Sequence, residues 1–209
     1  MTTNEKRVIL ETRQSLFIFI IMSSELVKDW FADRFSDLHP LLQKLHVEGG
    51  RLRGKVDLYY GSGISGILGR RLARKMKLPG PGSHELSVTI SHDDEYLYWN
   101  RRFKSQHSVE SLFRPVGDYE DGYWIETAGP LSLKLTVDIK NGGWHWRCLQ
   151  VCLFGCPIPM WLTPSSVAYK EIKNNRYQFH VSFSLPILGV LVTYKGMLDV
   201  ISEGSDGSE

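Results

Sequence analysis

Cysteine is scarce and does not pair up. The chain holds three, Cys148, Cys152 and Cys156, within nine residues. An odd count grouped this tightly cannot complete a disulfide framework, so a reducing, cytoplasmic setting is expected. The spacing does not suit a metal either, because structural zinc sites answer one close cysteine pair with a second, and there is no second pair. Along a strand Cys148 and Cys152 would share a face about 13 Å apart, too far for one ion. Buried free thiols are expected, with no metal and no other cofactor.

Long apolar runs are missing too. Nothing approaches the roughly 18 residues that a spanning helix needs. The run Leu16–Met22 follows Lys6, Arg7 and Arg13, but Glu5 and Glu11 spoil a signal-peptide leader. Residues 1–23 therefore read as an extension without a defined role. Charge of one sign is also lacking: the formal net charge is only +2, which gives no ground for a nucleic-acid partner. No repeat or linker divides the remainder. Residues 24–200 read as one domain, and residues 201–209, acidic and Gly/Ser-rich, as a disordered tail. No nucleophile–histidine–acid set can be assembled from spacing. No catalytic residue is assigned, and whether the protein is an enzyme stays open.

What the chain does have is aromatic residues, six Trp, nine Tyr and nine Phe, and a β-rich pattern. Helical spacing at Leu26, Val27, Trp30, Phe31, Phe35 and Leu38 predicts a helix from Ser24, and Pro40 starts a second. Strands are expected at Arg51–Tyr60 and Leu86–Ser91, from Tyr96 to Phe103, and within Val116–Thr127. Further strands are expected at Leu131–Ile139, Trp144–Phe154, from Tyr169, at Tyr177–Leu185 and at Val190–Val200. Asn141-Gly142 and Asn174-Asn175 read as hairpin turns. Short turns between successive strands point to an antiparallel meander.

Within that frame the Tyr96–Phe103 strand stands out. Alternation places Trp99, Arg101 and Phe103 on one face. If that face is concave and buried, Arg101 needs a carboxylate, since an unpaired buried charge is too costly. Glu126 and Glu171, each in or beside an apolar strand, are the candidates to meet it across a curved sheet. Such a group could be a structural network, the polar floor of a ligand pocket, or, with a desolvated glutamate as base, a catalytic site. Trp99, Arg101, Phe103, Glu126, Glu171 and Tyr194 form the expected ligand-contacting set.

Gly61-x-Gly63-x-x-Gly66 follows a strand and opens a helix, as a dinucleotide-binding loop does. However, no further βα units follow, and Asp93-Asp94 arrives later than the ribose-binding acid should. A glycine-rich helix start is the better reading. In that helix Ile64, Leu68, Leu72 and Met76 make one stripe. Arg70, Arg71, Arg74, Lys75 and Lys77 make a cationic face, either merely solvated or a docking surface for a membrane or a protein partner.

Several phrases in order resemble a known family: Leu38-His39-Pro40-Leu41-Leu42-Gln43, Trp99-x-Arg101-x-Phe103, Glu126-x-x-Gly129-Pro130, Pro157-Ile158-Pro159, Ala168-x-x-Glu171, Pro186-x-x-Gly189 and Tyr194-x-Gly196. Together they look like the domain-of-unknown-function family numbered 4166, from about Leu38 to Leu198. The resemblance implies a bacterial-type module, stand-alone or fused to a saccharopine-dehydrogenase-like or membrane module, and supplies no activity. Relatives usually lack the glycine-rich run Gly61–Gly69.

The expected fold is α+β. It is a strongly curved antiparallel sheet or half-barrel of about seven to nine strands, with N-terminal helices on its concave side. The expected function is non-enzymatic binding of a hydrophobic or amphipathic, lipid-like molecule in a sheet-lined cavity. The alternative is an accessory or regulatory domain of a nucleotide-dependent oxidoreductase or membrane-associated system, docking through residues 64–77. The expected location is cytoplasmic, peripheral to the membrane if that helix docks there.

Overall fold

A computed structural model describes residues 25–105, 107–128 and 131–201. The extension over residues 1–23 and the tail beyond Ile201 lie outside the described residues. The order is α1 (Leu26–Phe31), a 3-10 turn (Ala32–Asp37), α2 (Pro40–Val47), β1 (Gly50–Tyr60), α3 (Gly63–Lys75), β2 (Gly82–His92), β3 (Leu97–Phe103), β4 (Ser108–Val116) and β5 (Tyr123–Ala128). There follow β6 (Leu131–Lys140), β7 (Gly143–Leu153), β8 (Cys156–Ile158), a second 3-10 turn (Met160–Leu162), β9 (Ser165–Lys173), β10 (Arg176–Leu185) and β11 (Gly189–Ile201). None of these helices is long and apolar enough to cross a membrane.

Every ladder is antiparallel, in the order β6-β5-β4-β3-β2-β1-β11-β10-β9-β7, and β7 also pairs with β6. Ten strands thus close into a barrel, with short β8 added against the end of β7 at Val151–Leu153. The antiparallel α+β class holds, but the half-barrel of seven to nine strands is corrected to a closed barrel. Two features hid this. Strand β4 carries Ser111 on its inward face and Pro115 near its end, which breaks the apolar alternation. Closure depends on β7 pairing on both sides, which no periodicity encodes. The expected turns are present: Asn141 and Gly142 (φ 50° and 75°), like Asn174 and Asn175 (φ 52° and 58°), have the positive φ pair of a tight hairpin.

The N-terminal helices plug one end of the barrel and pack their apolar side chains into its concave interior, as expected. Helical spacing carries past Phe31, but Ala32 (φ 48°) ends α1. Pro40 sits at the first turn of α2, capped by His39 Nδ1, which accepts from the Leu41 amide. Three bonds tie this assembly to strand ends on one side: His39 N–H to the Gly142 carbonyl, Trp30 Nε1–H to Val116, and His92 Nε2–H to Val47. Val27, Trp30, Phe31, Leu38, Leu42 and Leu45 are buried in the same core as the barrel interior.

At the other end α3 crosses β11, with its exit at Leu78 buried in the core. The packed face is Ser65, Gly66, Gly69 and Ala73, with Ile64 and Ile67 exposed. The expected stripe is therefore corrected at Ile64. A Cβ on Gly69 would strike the Leu191 carbonyl oxygen, and one on Gly66 the Gly61 carbonyl. The glycines let helix and strand backbones touch, which accounts for the Gly61-x-Gly63-x-x-Gly66 run without a nucleotide.

Candidate functional site

Side chains of alternate parity fill the barrel. Toward the helical end the filling is aromatic and tight. Trp30 meets Trp124 (5.3 Å between ring centroids), Phe31 meets Trp144 (4.8 Å), and Phe113 stacks on Trp146 (5.1 Å, 9° between planes). Trp99 faces inward here, as the alternation of β3 requires.

A group that sequence reasoning missed sits at the centre of this layer. The Lys170 ammonium group, on β9, lies 3.7 Å and 3.6 Å from the ring centroids of Trp99 and Trp144, and Nζ is 2.7 Å from His46 Nε2. His46 Nδ1 is 2.7 Å from the Leu42 carbonyl. Since a carbonyl only accepts, Nδ1 carries the imidazole proton and Nε2 is free to accept from lysine. Burial, then the lysine charge, pushes the His46 pKa well below 6.5, and burial pulls Lys170 well below 10.5. Both side chains are sealed, Lys170 at 2% exposure.

Arg101 lies on the same inward face, one step toward the open end. Its guanidinium donates to the Tyr194 hydroxyl (3.2 Å) and to the Ser111 hydroxyl. The partners are hydroxyls, and among the described residues no carboxylate lies within ion-pair distance. Arg101 is only half-buried, so part of its charge stays solvated and the carboxylate requirement relaxes. Glu126 also faces in, half-buried; its charge and burial raise the Tyr194 pKa while Arg101 opposes them, burial being largest. Tyr177, fully buried, lies close enough to feel the Arg101 charge, yet burial holds its phenol well above 10. Phe103 is buried at 1%, below the start of β2.

Glu171 does not join them. It is on the outer wall, 3.1 Å from His145 Nε2, beside a stack of His145, Tyr169 and His180. The three cysteines are free, as expected, but Cys148 and Cys152 are half-buried and Cys156 is exposed.

Exposure divides the interior. Toward the helical end, Leu52, Leu97, Trp124 and Trp144 are sealed. On the β4–β7 and β9–β10 side of the other end, the inward side chains Val109, Glu126, Leu133, Cys148, Val181 and Phe183 are all partly exposed. The barrel is plugged at one end and meets solvent at the other, with Arg101 between the two zones. Apart from this, an open depression of about 470 Å³ is bordered by Lys55, His84, Glu85 and Lys104, at the start of β2 and the β3–β4 turn.

These features define a class: a helix-plugged, closed antiparallel β-barrel with polar groups set into an aromatic interior. The chain belongs to the family described as Domain of unknown function (DUF4166), which matches residues 38–198, from just before α2 into β11. No curated protein matches the sequence.

Proposed function

We propose that the domain binds an amphipathic, lipid-like small molecule, with the apolar body in the open half of the barrel and a hydrogen-bond-accepting end at Arg101. The observation that carries this reading is a pair of buried donors. Arg101 Nε and the Tyr177 hydroxyl have no hydrogen-bond partner among the described residues. The indole N–H groups of Trp99, Trp124 and Trp144 are unpartnered there as well, but only Nε and the phenol lie at the arginine charge. An unmet buried donor costs about 1–3 kcal/mol. An unmet guanidinium N–H with an unmet phenol beside it favours an incoming acceptor, and a carboxylate or phosphate would add charge-assisted bonding.

The surroundings support the same assignment. Val109, Leu133, Val181 and Phe183 give the apolar body a partly exposed wall. Ser111 and Tyr194 hold the guanidinium in place, and Trp99 and Phe103 flank it along β3. Glu126 supplies an acceptor for a ligand hydroxyl. The exposed cations of α3 support a second reading, in which the domain serves a larger nucleotide-dependent or membrane-associated system and docks through residues 64–77.

Titration of the full chain with oleate and with monoolein, read by native mass spectrometry, tests the first reading. Oleate is expected to bind at one equivalent. Arg101→Met is expected to weaken oleate by about tenfold or more, the worth of one charge-assisted bond, and to leave monoolein nearly unchanged. Tyr177→Phe, which keeps the ring, should give a smaller loss of the same kind. If neither lipid binds the folded wild-type chain, the reading is wrong.

A further inference from the structure

From the distribution of apolar and charged groups over the two ends of the barrel, we infer that the open end docks on an anionic lipid bilayer. The strand registers bring distant segments to this end. Ser165 is opposite Ser184, Leu185 opposite Gly189, Tyr60 opposite Val192, and Leu153 opposite both Leu131 and Cys156. The β7–β8 turn, the Met160–Leu162 turn, the β10–β11 hairpin and the start of α3 therefore share one rim.

That rim carries large apolar side chains in water. Phe154 is 80% exposed, Trp161 76% and Ile187 106%, and Ile64, Ile67 and Leu162 are exposed as well. Isolated exposed apolar residues are ordinary, but a group this concentrated marks an interaction surface. Ile187 adds a separate sign: it holds φ 70° at the hairpin tip, where a β-branched residue is strained. A Gly or Asn would relieve that strain, and what Ile187 supplies instead is an apolar point.

Charge selects the occupant. Within α3, Ile64, Ile67, Arg71, Arg74 and Lys75 recur at helical spacing on one exposed face. No acidic residue lies between Asp57 and Glu85, a stretch with five cations, and no charged residue lies from Cys148 to Tyr169 or from Val181 to Tyr194. Acids are denser at the opposite end, in the 3-10 turn (Asp33, Asp37) and the turns after β2 and β4 (Asp93–Glu95, Asp118–Asp121), while near the open end Glu85 is paired with Arg53 and Lys104 and Glu110 is exposed. The molecule is thus polarised, with its cationic, apolar end fitted to a negative, insertable surface. A protein partner with an apolar face would not call for this long-range charge separation. Docking in this way would bring the open half of the barrel to the lipid, yet it rests on surface residues alone and does not require that the barrel hold a ligand.

Flotation of the full chain with phosphatidylserine–phosphatidylcholine vesicles, against pure phosphatidylcholine vesicles, tests the inference. Binding is expected to need the anionic lipid and to fall as salt rises. The triple reversal Arg70→Glu, Arg71→Glu, Arg74→Glu, all on exposed positions, should reduce it about 100-fold. Trp161 should be quenched by brominated lipid, a signal lost in Trp161→Phe, while Arg101→Met should float as the wild type does. Three outcomes would overturn the inference: no anionic-vesicle binding, binding unaffected by the triple reversal, or binding abolished by Ile20→Asp in the Leu16–Met22 run. A dimer in solution that shields Trp161, without vesicle binding, would assign the rim to a second copy and overturn it as well.

Discussion

Lys170 and His46 hydrogen-bond to each other at 2.7 Å inside the barrel, each fully buried, and among the described residues no carboxylate joins them. A buried lysine usually needs an acid. Here the Trp99 and Trp144 faces bracket the amine, and a neutral imidazole supplies the lone pair. Cation–π contacts are worth about 0.5–2 kcal/mol each when desolvated, so two of them offset part of the desolvation cost. The pair joins α2 to β9 and Trp99 of β3, and so fixes the plug to opposite walls.

Replacing the lysine separates its packing from its proton. Lys170→Ala empties the indole box and is expected to cost about 2–5 kcal/mol, as for other large-to-small core changes. Lys170→Met keeps the stem and removes a buried amine, so it is expected to cost clearly less. The alkaline side gives a sharper readout. The unfolded chain holds this proton up to about 10.5, and the folded chain releases it earlier. Between those values the unfolded state binds more protons, so stability should rise with pH, and Lys170→Met should remove that slope. Urea unfolding at a series of alkaline pH values decides it; an unchanged slope in Lys170→Met would refute the assignment.

Acid acts through His46. Unfolded, it takes up a proton as pH falls through 6.5, whereas the folded site resists. Stability should therefore be lost as pH drops below 6.5. His145 and His180, on the outer wall, are shifted the same way by partial burial and add to the loss. Imidazole proton NMR can separate the three. The His46 resonance is expected to stay flat from about pH 8 down to the onset of unfolding, while a normal histidine titrates in that range.

Much of this was legible in the sequence, and the failures have causes. The apolar alternation of β6 and the Asn-Gly turn after it locate one hairpin, and the alternation of β3 correctly turned Arg101 inward with Trp99. Strand β9 was misread because Glu171 drew attention as the partner for Arg101. Its own parity gave the answer: Ala168, Lys170 and Ile172 share one face, two of them apolar, so Lys170 is the residue that points in. His46 was visible in the same way, on the buried face of α2 with Leu42 and Leu45. Barrel closure was not legible, because β7 joins β9 over only Trp144–Trp146 and β1 joins β11 across most of the sequence, pairings that no local periodicity encodes.

The glycine run in α3 gives a substitution whose sign opposes helix propensity. Gly→Ala inside a helix ordinarily gains up to about 1 kcal/mol. At Gly69 the added methyl would strike the Leu191 carbonyl oxygen, part of a strand that cannot yield as a flexible side chain could. Gly69→Ala is expected to lower the melting temperature. Gly80→Ala, where the new methyl meets nothing within 4 Å, should stay within about 0.5 kcal/mol of wild type. Equal, small effects at both sites would mean that α3 does not press on β11.

The join between β7 and β9 should be where the barrel opens first. Elsewhere strands pair along most of their length, β1 with β11 from Arg51–Ile201 to Tyr60–Val192, but β7 meets β9 at three positions. Fewer ladder bonds mean a smaller free energy of local opening, which native-state hydrogen exchange measures directly. The amides of Ala168 and Lys170 are expected to exchange faster than those of Leu52 and Val56, both sets lying in the barrel wall. Gly143 guards this join, since a Cβ there would come within 3.1 Å of the Lys140 and Lys170 carbonyl oxygens and 2.6 Å of the Glu171 side chain. Gly143→Val should push β7 from β9, raise exchange at Ala168 and Lys170 first, and loosen the Trp144 side of the lysine box. Uniform protection around the ring, or exchange in Gly143→Val that rises equally in β1 and β9, would show that the barrel opens only as a whole.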